Sequence, residues 1–276
     1  MSSPSRESTE PPPEAEWVRV EHPHDHVIEI RLDRPDALNA VSTQLATRLS
    51  RACAEISADP TVRAVVLSSA VPTAFCVGAD LKERNRLSDD ELRAQRPVTR
   101  SAYRAVLELP VPTIAAVHGF ALGGGLELAL ACDLIVGDHT AVVGLPEVSV
   151  GVIPAGGGTQ LLARRLGWSR AADLIFTARR LTAEEARELG LLDRLVETGE
   201  DRATALELAV RIATNSPVGV RAAKAAMREG LDRPLAEGLA IEDQRWHDVA
   251  FSPDRAEGVR AFAERRAPQW PDPGRG

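Results

Sequence analysis

Two glutamates, Glu127 and Glu147, stand in apolar surroundings, each next to glycine-rich sequence. Glu127 follows Gly123, Gly124 and Gly125 within the apolar run 113–133, and Glu147 follows Pro146 and precedes a second glycine cluster, Gly156, Gly157 and Gly158. A carboxylate in such a run needs a partner or a use. A strand-like run over 113–117 enters the first glycines and a helix-forming run over 126–132 leaves them, which predicts a strand-to-helix turn. Open backbone N–H groups at a helix N-terminus attract an anion or a developing negative charge. A third segment, Phe75 to Lys82, follows an apolar strand over 64–68 and puts Gly78 and Ala79 where the backbone can face a ligand. The three segments together suggest one pocket.

Each feature also has a plain role. A glutamate in the first turn of a helix complements the macrodipole, worth about 0.3–1 kcal/mol. Glu147 reads equally as a surface acid, and a single glycine-rich turn occurs in many unrelated chains. The order and spacing of all three segments are far more specific than any one.

The elements that must position these residues alternate. A hairpin is expected between 17–20 and 27–32, then a helix over 42–57, a strand over 64–68, a helix over 89–109, the strand at 113–117 and another at 134–136. Thr182 and Glu185 form a capping-box pattern, and Gly190 ends that helix before a strand over 192–196. From residue 201 every periodic segment is helical: 203–214, 218–229, 234–250 and 253–266. This is an α/β pattern with a helical C-terminal part.

Composition narrows the function. A chain of 276 residues that is 44% hydrophobic builds a sizeable core of one or two domains. Its net charge is −7 and its lysines are Lys82 and Lys224 alone, a balance that disfavours nucleic acid. No charge-free apolar run reaches the roughly 20 residues of a membrane span. Residues 1–16, rich in Ser, Pro and Glu, read as a disordered tail rather than a targeting segment. Three scattered cysteines, Cys53, Cys76 and Cys132, suggest neither disulfides nor zinc and fit a reducing cytoplasm. Cys76, between Phe75 and Val77, reads as a packed small hydrophobe. His22, His24 and His26 fall at the hairpin and are not expected to hold a metal.

From Trp17 onward the chain resembles the enoyl-CoA hydratase/isomerase family, the crotonase superfamily. The match rests on Gly78 to Lys82, Ala115 to Gly119, Leu122 to Glu127, Cys132-Asp133, Pro146-Glu147, Ile153-Pro154 and Gly156 to Gln160 in family order. The resemblance implies a spiral of repeated β-β-α units over 17–200 that carries the active site, and an all-helical oligomerisation domain over 201–276. It implies a homotrimer or dimer of trimers. It also implies an oxyanion hole from the amides of Ala79 and Gly124, with Glu127 and Glu147 as the catalytic carboxylates. Further substrate contacts are expected from Arg34, Ala37, Leu38, Gly78, Asp80, Leu81, Lys82, Gly123, Pro146 and Gly156, and from Phe262 and Arg265, the latter reaching a neighbouring subunit. The implied substrate is an acyl-CoA thioester, with no metal and no cofactor beyond the CoA that the substrate carries.

Hydrating the 2,3 double bond of an enoyl thioester puts negative charge on the thioester oxygen and needs a base and an acid on one face of the substrate. Two glutamates and two amides provide these. An isomerase moves a proton between carbons and needs one carboxylate, so a Δ3,Δ2-enoyl-CoA isomerase is the enzymatic alternative and a CoA-thioester or RNA binder the non-enzymatic one. The segments 75–84 and 109–113 are most similar to methylglutaconyl-CoA hydratases, some of which bind RNA through a lysine-rich helix. Here the 42–57 helix carries only Arg48 and Arg51 as cations, which disfavours RNA. Val143 and Val77 replace a common Phe and Ala and are expected to reshape the acyl pocket.

Overall fold

The computed structural model describes residues 17–271, so the expected tail 1–16 lies outside the described residues. The chain begins with an antiparallel hairpin, β1 (Val18–His24) and β2 (Val27–Leu32), followed by α1 (Thr43–Ala58). Three turns of strand, strand and helix come next. The first is β3 (Ala64–Ser69), β4 (Ala74–Cys76), the short α2 (Leu81–Arg84) and α3 (Asp89–Leu107). The second is β5 (Thr113–Val117), β6 (Phe120–Leu122) and α4 (Gly124–Ala131). The third is β7 (Leu134–Asp138), β8 (Val142–Gly144), α5 (Gly158–Leu166) and α6 (Trp168–Thr177). After β9 (Arg180–Leu181), α7 (Ala183–Leu189) and β10 (Arg194–Val196), the chain is helical: α8 (Asp201–Ala213), α9 (Pro217–Gly230), α10 (Leu235–Ala250) and α11 (Pro253–Glu264).

Each turn divides its strands between two sheets. The first strands build a six-stranded sheet, β1-β2-β3-β5-β7-β10, and the second strands a four-stranded one, β4-β6-β8-β9. The expected spiral of β-β-α units is therefore present. Within the smaller sheet β4, β6 and β8 run parallel, with Phe120 paired to both Ala74 and Val142, and Leu122 to Gly144. Parallel neighbours in register end together. The segments after these strands, at 77–80, 123–124 and 145–147, thus emerge side by side, which brings Ala79, Gly124 and Glu147 to one place.

The six-stranded sheet is buried on both faces, which explains why its central strands are apolar without alternation. Val65, Leu67, Ala115 and Val117 point into the larger core, while Ala64, Val66, Ile114 and Ala116 pack on Ala205, Leu206, Ala209 and Ala213 of α8. Small residues at 205, 209 and 213 recur one turn apart on a single face and let the helix sit close. Arg202 fixes α8 to the sheet through two hydrogen bonds to the buried Glu29, at 2.7 and 2.6 Å. His118 adds a second clasp, with Nδ1 3.0 Å from Asp201 and Nε2 2.9 Å from the Val71 carbonyl. So α8, read from sequence as the start of a separate helical region, packs as a layer of the sheet. Packing on the opposite strand faces, which helical periodicity does not reveal, decides this. Helix α9 docks through Asp133, which pairs with Lys224 at 2.6 Å and Arg228 at 2.7 Å.

Local signals hold where they are strong. Ser42 caps α1, and the Thr182–Glu185 capping box opens α7, whose end is Gly190 in the left-handed region. Helix α3 continues through Pro97. The hairpin strand β1 extends to His24, and no metal-holding group of His, Cys, Asp or Glu occurs among the described residues. All three cysteines are free and buried, and burial pushes each thiol up to about 12. No helix among the described residues is long and apolar enough to cross a membrane.

Helix α4 lies so close to β4 that a Cβ at Gly125 would collide with the Cys76 carbonyl oxygen. Gly125→Ala should therefore destabilise the fold by about 3 kcal/mol, the upper end of typical overpacking costs. A urea denaturation midpoint equal to that of the parent would contradict this packing.

Candidate active site

A cavity of about 460 Å³ opens where the three parallel strands end. Glu127 lines it from the first turn of α4 and is 3% exposed. Its Oε1 accepts two amides of the loop entering α5, Gly156 N at 2.6 Å and Gly158 N at 2.7 Å. The second glycine turn thus spends these amides on Glu127 rather than on a ligand. Burial pushes the Glu127 carboxyl above the ordinary glutamate range, and the Gly158 and Gly156 amides pull it part of the way back.

Glu147 enters the same cavity from a single 3-10 turn, Pro146–Val150. Its Oε2 is buried and has no hydrogen-bond partner. Burial, reinforced by the charge of Glu127, pushes its carboxyl up to about 7. The difference between the two glutamates is structural: two amides of a neighbouring loop donate to Glu127, whereas Glu147 Oε2 has no partner and the one hydrogen bond that favours its ionised form comes from the residue's own backbone amide. Hydrogen bonds to the anion favour ionisation, so the proton of the pair belongs on Glu147 near neutrality.

Opposite the carboxylates stand two amides. Gly124 is the first residue of α4, where an N–H has no partner inside the helix. The Ala79 N–H has no acceptor among the described residues. What brings them together is Gly78: at φ +92 it is in the left-handed region, and a Cβ there would lie 2.8 Å from Leu122 O and 2.9 Å from Gly124 N. Only a glycine lets the two backbones approach this closely. Gly123 makes room in the same way for Glu147, since its absent Cβ would lie 2.9 Å from Glu147 Oε1.

The Ala79 loop is held from behind by a strained pair. Leu38 and Asn39 both adopt positive φ, at 48° and 58°. Asn39 Nδ2 donates to Ser69 Oγ at 2.8 Å and Phe75 O at 2.9 Å, Val77 N donates to Leu38 O, and Val41 N donates to Gly78 O at 2.7 Å. These bonds orient the loop over 77–80 so that its Ala79 amide stays open. Asp80 caps α2 and pairs with Arg34 at 2.7 Å.

The cavity is lined by Ala79, Gly124, Glu127, Glu147, Gly78, Leu81, Gly123, Pro146 and Gly156 from the sequence reading. Arg34, Ala37, Leu38, Asp80, Lys82, Phe262 and Arg265 do not line it. Arg34 is occupied within the protein, stacked over Trp17 at 4.5 Å and bonded to Ala40 O besides Asp80. Lys82 is exposed, Phe262 is 88% exposed, and Arg265 ends α11 in the left-handed region. Val77 lines the cavity, whereas Val143 is core. The sequence reading did not pick out Tyr103, Gln95 or Arg84, all from the segment between the first two sheet crossings. Tyr103 is buried beneath Gly124, where a Cβ would collide with its Oη. Burial and the Glu127 charge keep its phenol protonated far above neutrality. A lone tyrosine on an amphipathic helix reads as core, so no local signal marks it.

Residues 23–273 match the family model described as enoyl-CoA hydratase/isomerase, and the chain belongs to that family. It is 43% identical over 262 residues to enoyl-CoA hydratase domain-containing protein 2, mitochondrial, of Mus musculus, covering 94% of this chain and 88% of that protein. It is 40% identical over 260 residues to the methylglutaconyl-CoA hydratase, mitochondrial, of the same organism, covering 92% and 83%. Among solved structures, an enoyl-CoA hydratase from Bacillus anthracis superposes with a TM-score of 0.90 at 40% identity, over 92% of this chain and 98% of that one. The fold is that of the crotonase superfamily, and the chain is an enzyme of the hydratase type.

The Glu147 seat has a thermodynamic signature. A carboxyl raised in the folded state binds its proton more tightly than in the unfolded chain, so its contribution to stability is full below the ordinary value of 4.5 and is lost as pH rises through about 7. Glu147→Gln removes that dependence. The stability of the variant relative to the parent should therefore rise between pH 4.5 and about 7 and then level off. Denaturation midpoints measured across this range that ran parallel for the two proteins would show that Glu147 titrates normally.

Proposed function

We propose that the protein adds water reversibly across the 2,3 double bond of a 2-enoyl-CoA thioester, giving the 3-hydroxyacyl-CoA. The observation that carries this reading is a pair of dehydrated carboxylates, one anchored by two loop amides and one with a buried oxygen left unpartnered, lining one cavity with two open amides. The thioester oxygen lies between the Ala79 and Gly124 amides. Water bound at the glutamates gives a proton to the ionised Glu127 as its oxygen bonds to C3, and the π electrons move through C2 onto the thioester oxygen as an enolate. Glu147 then delivers its proton to C2 and the carbonyl re-forms. One oxyanion donor is typically worth about 3–4 kcal/mol of barrier. A Δ3,Δ2 isomerase needs one carboxylate, and the second, dry glutamate favours the hydratase.

The exposed apolar residues of the C-terminal helices, among them Met227, Leu231, Leu235, Leu239 and Phe251, support self-association. A homotrimer or dimer of trimers is the assembly proposed, and light scattering that returned a monomer at micromolar concentration would exclude it.

Hydration is tested by incubating the protein with crotonyl-CoA and longer enoyl-CoAs and following the ultraviolet absorbance of the conjugated thioester. Glu127→Gln and Glu147→Gln should each slow turnover by about a hundredfold or more, since one acid–base group typically contributes 10²–10⁴-fold. Ala79→Pro, which deletes an N–H, should fall comparably while circular dichroism stays unchanged. A Glu147→Gln variant turning over at the parent rate would remove the two-carboxylate mechanism.

A further inference from the structure

The hydration steps leave a buried hydroxyl unused. Tyr103 is 5% exposed and lines the cavity from α3, on the side where Leu92, Arg96 and Thr99 precede it at helical spacing. The donors along that side have protein partners: Gln95 Nε2 donates to Glu83 Oε2 at 2.9 Å, Arg96 to Ala155 O at 2.5 Å and Thr99 Oγ1 to Arg96 O at 3.2 Å. The Tyr103 hydroxyl makes no hydrogen bond among the described residues. Nor is its oxygen sealed in the core: the buried, unpartnered atoms of the cavity lining are Gln95 Oε1 and Glu147 Oε2. A hydroxyl that is neither paired nor sealed meets what the cavity holds.

Two absent side chains locate it. A Cβ on Gly124 would lie 2.2 Å from Tyr103 Oη and 3.3 Å from Gly78 Cα, so the hydroxyl sits at the seam between the 78–79 segment and the start of α4. Both open amides belong to that seam. A Cβ on Gly156 would lie 2.8 Å from Tyr103 Cγ and 2.8 Å from Glu127 Oε2, which puts the Glu127 carboxylate at the root of the ring and the hydroxyl at its other end. Glu127 is therefore beside the ring and not in line with the O–H. Burial, and after it the charge of Glu127, holds the phenol well above its ordinary range, so near neutrality it keeps its proton and acts as a donor. In the hydration reading, the acceptor that enters this seam is the thioester oxygen.

We propose that Tyr103 is a catalytic residue, a third donor to the thioester oxygen beside the Ala79 and Gly124 amides. The assignment rests on the oxyanion role of those two amides. As the oxygen of water bonds to C3, the π electrons pass through C2 to the thioester oxygen, and the phenol O–H donates to that oxygen as it becomes an enolate. The proton stays on the phenol throughout. When C2 takes its proton from Glu147 and the carbonyl re-forms, the bond weakens again. A phenol is more acidic than an amide, so its hydrogen bond strengthens more as charge develops on the acceptor, and it serves the enolate more than the bound substrate.

The test uses the full chain and Tyr103→Phe, which keeps the ring between Gly124 and Gly156 and deletes only the hydroxyl. Two quantities are read: turnover of crotonyl-CoA and hex-2-enoyl-CoA, and the infrared carbonyl stretch of bound, unreactive butyryl-CoA carrying carbon-13 at the thioester carbon. In Tyr103→Phe, kcat should fall by about ten- to a hundredfold on both substrates with KM nearly unchanged, the pattern of a donor used chiefly in the transition state. The carbonyl stretch should move back towards that of free butyryl-CoA. A carbonyl stretch equal to that of the parent would overturn the proposal. If it came with a rise in KM that grew from crotonyl-CoA to hex-2-enoyl-CoA, the hydroxyl would belong to the acyl tail. If it came with a lower urea midpoint, Tyr103 would be structural alone. The two readings fail separately. A parent that hydrated neither substrate, yet lost carbonyl polarisation in Tyr103→Phe, would sink the hydratase reading and keep the third donor.

Discussion

The site depends on the parallel register of three very short strands. β4, β6 and β8 are three residues each, and their pairing fixes where the chain emerges from them. Were β6 to slip by one residue against β8, Gly123 would no longer donate to Gly144 O at 2.8 Å, and the α4 N-terminus would turn away from Glu147. Strands this short do not hold register alone. The longer six-stranded sheet, in the same spiral, places them, and its central strands are clamped between two apolar layers. The larger sheet therefore carries the stability and the smaller one carries the geometry.

A second constraint is close backbone approach. Gly78, Gly123 and Gly125 each occupy a place where a Cβ would meet a backbone or carboxylate oxygen. Their value is in what they bring near: the open Ala79 and Gly124 amides, the Glu147 carboxyl and the β4 carbonyls. Two carboxylates dried by this packing repel each other and lose hydration, and the fold tolerates them because one is anchored by Gly156 and Gly158 and the other has its carboxyl raised to about 7. The arrangement is costly to the folded state. In the proposed hydration the same cost would supply a base and an acid of different strength in one cavity.

The C-terminal half shows how charge substitutes for apolar burial. Arg202 and His118 hold α8 to the sheet through Glu29 and Asp201, and Lys224 and Arg228 hold α9 through Asp133. Glu29 and Asp133 are each served by more than one donor, a condition under which buried ion pairs are tolerated. Beyond α9 the helices expose apolar side chains that the single chain does not cover.

The sequence by itself determined the elements with strong local signals: the strand over 113–117, the Thr182–Glu185 box and the glycine-rich entry to α4, all written in neighbouring residues. It also singled out Glu127 and Glu147, because a charge in an apolar run is visible without a structure. Only the tertiary structure decided the rest. The three-residue strands of the smaller sheet are too short for any periodicity, and the layer to which α8 belongs depends on which strand faces it meets. Arg34 has the look of a ligand-binding cation in the chain but is consumed by Asp80, whereas Tyr103 has the look of core and proves to line the cavity with a hydroxyl unpaired among the described residues. Whether a side chain is spent or free is a property of its neighbours in space, and no stretch of sequence around it records who those neighbours are.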